Sequence, residues 1–209
     1  MPFLIGYSIP AGTKPFDVTK GGGPAETGVC KFKIIEIKAQ KKAKVIQAAI
    51  EVEIVEPAHR AGEKLTTWEN VEALPGQPKG TQDQAVANVT TLLLSTGSQK
   101  MAKQIAESGI PKGFDLEQLR GAVLHGFTRE GDAEHYGEVV FLTPKAYTEV
   151  AAGDAKVPDK RRKKGENRGA RANGAGTARA GAANAFDDEP DWGVGEAAAP
   201  QTFDDSPFN

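Results

Sequence analysis

Apolar and polar positions alternate most cleanly over residues 44–56. Ile46, Ala48, Ile50, Val52 and Ile54 fall on one face, with Gln47, Ala49, Glu51 and Glu53 opposite. A period of two predicts a half-buried β-strand. Residues 29–39 alternate basic and apolar positions over much of their length and predict a preceding strand, with the basic stretch 40–44 as the hairpin between them. A polar loop over 57–64 leads to a third strand, 65–74, which contains Trp68. After the Pro/Gly-rich stretch 75–81 the period changes. Ala85, Val86, Val89, Leu92 and Leu93 recur near 3.6 and predict a helix, with Asp83 as its cap. Gly97 interrupts it, Ser98 caps a second helix over 101–108, and Gly109 and Pro111 terminate that one. A helical turn at 116–119 and two further strands, 121–129 and 136–143, complete the pattern, with Pro144 ending the sheet signal.

The predicted order is strand, strand, strand, helix, strand, strand. This is the order of a five-stranded oligonucleotide/oligosaccharide-binding (OB) barrel with a helix between strands 3 and 4. The fold class expected is all-β to α+β, with another small α+β domain as the alternative. Residues 1–27, rich in Gly, Pro and Thr, read as an irregular N-terminal arm pinned in part by Phe3, Ile5, Tyr7 and Phe16. The OB-like domain is assigned to 28–152.

Composition changes abruptly after that. Residues 153–184 are mostly Gly, Ala, Arg, Lys and Asn, with Val157 as the one large aliphatic side chain. Such a segment buries too little apolar surface to offset its ordering entropy, so a disordered tail is expected. Charge divides that tail. Residues 154–181 hold nine Lys/Arg against three acids, a balance of +6, whereas 182–209 hold seven acids and no base. The rest of the chain carries −1, so the net −2 conceals a dipolar tail. The expected division is a basic Gly/Ala/Arg-rich linker over 153–181 and an acidic docking tail over 182–209. Such asymmetry favours charged partners.

One cysteine, Cys30, excludes an internal disulfide and a cysteine metal cluster, and the start of the chain has no secretory pattern. The apolar runs at 92–94 and 139–142 are far shorter than a membrane span. A cytoplasmic protein with no membrane contact and no cofactor is expected. Catalytic motifs are likewise missing from the sequence. The histidines at 59, 125 and 135 are isolated, Gly21-Gly22-Gly23 precedes a strand instead of leading into a helix, and the alternating Glu36, Glu51 and Glu53 fit a solvated strand face. A non-enzyme is expected.

Single strands are held by cations along the backbone and aromatic platforms under the bases. Candidate residues of that chemistry are Lys31, Lys33, Lys42, Arg60, Trp68, Arg120, Phe127, Arg129 and Tyr136. Trp68 and Tyr136 sit among polar neighbours, while Phe127 fits core packing as well as stacking. The run Lys160-Arg161-Arg162-Lys163-Lys164 suits sequence-independent phosphate contact, or a solubilising linker or import signal.

The chain closes on Phe203-Asp204-Asp205-Ser206-Pro207-Phe208-Asn209. Asp204, Asp205, Pro207 and Phe208 resemble the acidic tip of bacterial and phage single-stranded DNA-binding proteins, which usually ends on the phenylalanine; here Asn209 follows it. The resemblance implies an OB barrel, a Gly-rich linker and a tip that docks on replication, repair or recombination proteins. The function expected is sequence-independent single-stranded DNA binding, with a phage-encoded protein in view. The alternatives are an RNA-binding OB-type protein and a non-catalytic structural or assembly protein of a virus. Homo-oligomerisation stays open.

Overall fold

A computed structural model describes residues 2–17, 19–21 and 28–164. The acidic tail 182–209, its tip residues Asp204, Asp205, Pro207 and Phe208, and the linker beyond Lys164 lie outside the described residues.

The barrel strands are β1 (Val29–Lys41), β2 (Val45–Glu56), β3 (Lys64–Ala73), β4 (Val123–Arg129) and β5 (Glu138–Phe141). They form one antiparallel sheet in the order β3-β2-β1-β4-β5. Its two edges, β3 and β5, approach each other without pairing, so the sheet curls into a nearly closed barrel. This is the OB-like arrangement, with helices α1 (Lys79–Ser95) and α2 (Gln99–Glu107) between β3 and β4.

Alternation decides which side chains enter the barrel. Along β2, Ala48, Ile50, Val52 and Ile54 are fully buried, as the period of two predicts. In β1 the buried set runs Cys30, Phe32, Ile34 and then Ile37, because a register shift between Ile34 and Glu36 moves the inward face by one residue. Phe32 and Phe141 meet edge to face across the interior, with centroids 6.4 Å apart. The N-terminal arm closes one end by burying Phe3, Ile5 and Ile9, and it bridges Leu4 to Asp115 and Ile9 to Ile110.

Gly126 on β4 faces Phe32. A Cβ there would overlap the Phe32 ring and the Val140 carbonyl. Gly126→Ala is therefore expected to lower the urea midpoint by the equivalent of about 2 kcal/mol or more, the cost of overpacking a filled core. An unchanged midpoint would show that the β4–β5 pair yields more easily than this packing implies.

Three expectations need correction. First, α1 begins at Lys79, with Pro78 at the N-cap, and Asp83 is an exposed residue within the helix. Proline fixes its own φ and donates no hydrogen bond, so it opens a helix without a side-chain cap. Second, Pro144 starts a helix. Thr143 Oγ1 accepts from Ala146 N, and α3 (Pro144–Ala152) runs to Gly153, whose φ of 83° ends it. Third, the fold does not stop at 152. Ala155–Lys156 pairs antiparallel with Lys20–Gly21, and Val157 is 3% exposed in a second cluster with Phe127, Leu142 and Val150. Residues 153–164, expected in the linker, are thus part of the described fold.

Candidate nucleic-acid interface

The outer face of β3 carries Lys64, Thr66 and Trp68, all exposed, against Glu53, Glu51 and Ala49 of β2. Two loops rise beside this face: the β1–β2 turn at 42–44 and the β4–β5 loop at 130–137. Between them lies a cleft of about 880 Å³. Its floor is Leu65 to Trp68, one wall is Lys42 to Val45, and the other combines Thr128 to Gly131 with Gly137 to Val139. Lys160, Arg161 and Arg162 complete the rim. Seven Lys/Arg and three Glu line it, a formal balance of +4.

The β4–β5 loop is built around Asp132. Its Oδ1 accepts from the backbone N–H of Glu134 (2.8 Å) and His135 (2.7 Å) and lies 3.0 Å from His135 Nδ1. The Glu134 N–H first, and then the His135 contacts, hold the Asp132 carboxyl well below the usual range. The segment after α3 is laced onto this loop. Arg161 pairs with both Asp132 and Asp159 at 2.9 Å and donates to the Glu130 carbonyl at 2.9 Å. Tyr136 N donates to the Arg162 carbonyl, and Lys164 Nζ donates to the Asp132 carbonyl, both at 2.8 Å. The Arg161 guanidinium brings the Asp159 carboxyl down to about 2.

Aromatic rings in and beside the cleft carry cations. Trp68 is 52% and Tyr136 46% exposed. Lys42 Nζ lies 5.8 Å from the Trp68 ring centroid, Lys160 Nζ lies 5.3 Å from that of Phe16, and Arg162 and Lys164 stand 5.0 and 5.8 Å from that of Tyr136. Flat faces beside positive charge match a base and its phosphate. Arg60 and Arg129 do other work in the same cleft. Arg60 chelates Glu63, its Nη2 2.7 Å from Oε2. Arg129 is ion-paired to Glu138 and donates to the carbonyls of Val157 and Pro158, tying β4 to the C-terminal segment.

Of the nine sequence candidates, Lys42, Arg60, Trp68 and Arg129 line the cleft, and Tyr136 stands on the adjoining loop. Four do not join them. Lys31 is ion-paired to Glu56 at 2.9 Å, Lys33 is exposed on β1 between Glu53 and Val123, and Arg120 is exposed after the 3₁₀ turn Leu116–Leu119. Phe127 corrects the stacking expectation. It is 1% exposed beneath Val150 and Val157, with the Arg129 guanidinium 4.6 Å from its ring, so it cannot offer a face to a base. Nothing in the sequence signalled that Phe16, read as an anchor of the arm, stands under Lys160, or that Lys160 and Arg162 reach the rim. Val157, one aliphatic side chain among charges, was the available sign that the chain returns to the barrel there.

No family model, no curated protein and no solved structure matches the chain. Among the described residues, no group of three or more His, Cys, Asp or Glu could hold a metal ion, and no helix is long and apolar enough to cross a membrane.

Proposed function

We propose that this protein binds single-stranded DNA without catalysis and without strict sequence preference, in the cleft over β2 and β3. The observation that carries the reading is Trp68, an exposed ring on the floor of a +4 cleft framed by the two loops that OB-type barrels use for oligonucleotides. In this account Trp68 and Tyr136 stack bases, while Lys42, Lys160, Arg162 and Lys164 contact phosphates. The acidic tip, with Asp204, Asp205, Pro207 and Phe208, would recruit replication or recombination proteins.

Fluorescence anisotropy of labelled oligo-dT tests this, with oligo-U and duplex DNA as competitors. About four phosphate contacts on a single strand give a log–log salt slope near −2.8, so affinity should fall about 50-fold between 50 and 200 mM salt. Equal competition by oligo-U would favour an RNA partner, and no binding at low salt would favour a structural role.

The tip carries −7. A chain ending at Gly181 should bind oligo-dT several-fold more tightly at low salt and with a steeper salt slope, because a competing polyanion has been removed. Identical affinity and slope would exclude a tip that competes for the cleft.

A further inference from the structure

A second cavity, about 340 Å³, shares Gln47, Trp68, Glu138, Val139 and Lys160 with the cleft. It occupies the gap where β3 and β5 approach without pairing, with Asn88 and Thr91 of α1 against it and Phe16 at its edge. That volume lies near the lower limit for small-ligand sites, about 300 Å³, enough for one base and not for a run of nucleotides.

One side chain inside has no obvious structural role. Glu69 follows Trp68 on β3, so alternation turns it to the other face of the strand, opposite Ala48 and into the barrel wall. It lines the cavity, and it has no hydrogen-bond or ion-pair partner among the described residues. The amides around it satisfy one another: Gln47 Nε2 donates to Asn70 Oδ1 (2.9 Å), Gln84 Nε2 to Asn88 Oδ1 (2.8 Å) and Asn88 Nδ2 to the Asn70 carbonyl (3.3 Å). Three amide N–H groups are used in these contacts, and others stay uncommitted. The Glu69 carboxyl has no such partner, and when ionised its two oxygens only accept. Glu69 is half-buried, and a partly desolvated carboxyl without a partner gains from a ligand that supplies one.

The occupant must therefore be flat, reach in from the cleft past Trp68, and present donors. Guanine presents two adjacent donors, N1–H and N2–H₂, on its Watson–Crick edge, which match the two oxygens of one carboxylate. Adenine and cytosine each place a donor beside an acceptor, and thymine flanks one donor with two acceptors. Resting on the proposed function above, we infer that the Glu69 cavity receives one base of the bound single strand and selects guanine there.

Burial pushes the Glu69 carboxyl up to about 7. Guanine is matched by the ionised form, so its preference should grow as pH rises from about 6 to about 8. The neutral acid, one donor beside one acceptor, suits adenine or cytosine. The titratable groups facing the same cavity are Glu138 of β5 and Lys160 of the C-terminal segment, while β2, α1 and the N-terminal arm contribute Gln47, Gln84, Asn88, Thr91 and Phe16, none of which titrates.

The test is a set of oligo-dT strands carrying one central dG, dA, dC or deoxyinosine, titrated into the full chain. At about pH 8 the dG strand should bind about tenfold more tightly than oligo-dT, the discrimination expected of one bidentate base contact. Deoxyinosine, which lacks the N2 amino group, should lose most of that gain. Glu69→Gln should abolish the preference while leaving affinity for oligo-dT within about twofold, and it should melt no lower than the parent at that pH because a partly desolvated charge is gone. The deoxyinosine strand keeps the inference falsifiable should that variant fail to fold. Oligo-dT binding with equal affinity for all four strands would overturn the inference and leave the proposed function standing. No binding to any strand would overturn both. Saturable binding of free deoxyguanosine monophosphate, with no preference among the strands, would overturn the strand-borne form and assign the cavity to a free nucleotide.

Discussion

Replacing Trp68 by alanine is expected to weaken oligo-dT binding by about tenfold or more, with little change in the urea midpoint. The stacking of one base on an aromatic ring contributes about 1–3 kcal/mol, and about 1.4 kcal/mol corresponds to a factor of ten. Trp68 is 52% exposed on an edge strand, so its removal opens no cavity in the core. The stability cost is confined to strand propensity, under about 1 kcal/mol. Trp68→Phe should recover much of the affinity because it keeps a π face. Lys42→Ala should cost less and should also flatten the salt slope by about 0.7, the share of one phosphate contact. Separate effects on stacking and on salt dependence are what a base on Trp68 beside a phosphate on Lys42 requires. Unchanged affinity in the alanine variant would move the binding surface off β3.

The second large effect concerns where the domain ends. A chain stopping at Ala152 should be less stable than one stopping at Lys164 by about 3 kcal/mol or more. Val157, 3% exposed, contributes about 1.5–3 kcal/mol through its burial. Arg129 would also lose the carbonyls of Val157 and Pro158 while keeping its ion pair to Glu138, and losing hydrogen bonds made by a charged group costs a further 1–3 kcal/mol or so. Binding should fall as well, by about tenfold or more. Lys160, Arg162 and Lys164 leave with the segment, and the β4–β5 loop loses the Arg161 bridge to Asp132. Equal urea midpoints and equal affinities for the two chains would mean that residues 153–164 neither support the barrel nor contribute to the cleft.

Much of the barrel was legible because each strand that buries one face announces it. β2 is the clearest case, its alternation unbroken from Ala48 to Ile54. The helix between strands 3 and 4 followed from a change of period, and Ser98 at the cap of α2 from side-chain chemistry, its Oγ accepting from Met101 N. The errors have physical causes too. Pro144 was read as a stop because proline cannot continue a sheet, yet it also opens helices, and Thr143 ahead of it was the cap. Composition averaged over 153–184 hid the short return of the chain at Val157, since a window dominated by Gly and Arg outweighs one buried valine. Phe127 could not be assigned to a face from β4 alone. It is buried because α3 and residues 155–157 cover it, elements that the sequence had not revealed.

The site was legible in kind and only partly in place. Trp68 and Lys42 stood out as an exposed aromatic near a basic turn, and they face each other at 5.8 Å. Lys31, Lys33 and Arg120 were chosen for charge alone, and charge along a strand does not say which side of the barrel it occupies. Glu69 gave no signal, because a glutamate in a half-polar strand reads as solvated. Its significance depends on the unpaired β3–β5 gap, which only the closed geometry defines.

The central claim is that a single strand lies on Trp68. The chain has two tryptophans, Trp68 and Trp192. With Trp192→Phe in the full-length protein, every change in tryptophan emission reports on Trp68. Titration with oligo-dT at low salt should quench that emission saturably, at the same concentrations that raise the anisotropy of a labelled strand, and added salt should reverse both together. Emission that stays constant while the strand binds, or no binding at all, would contradict the account.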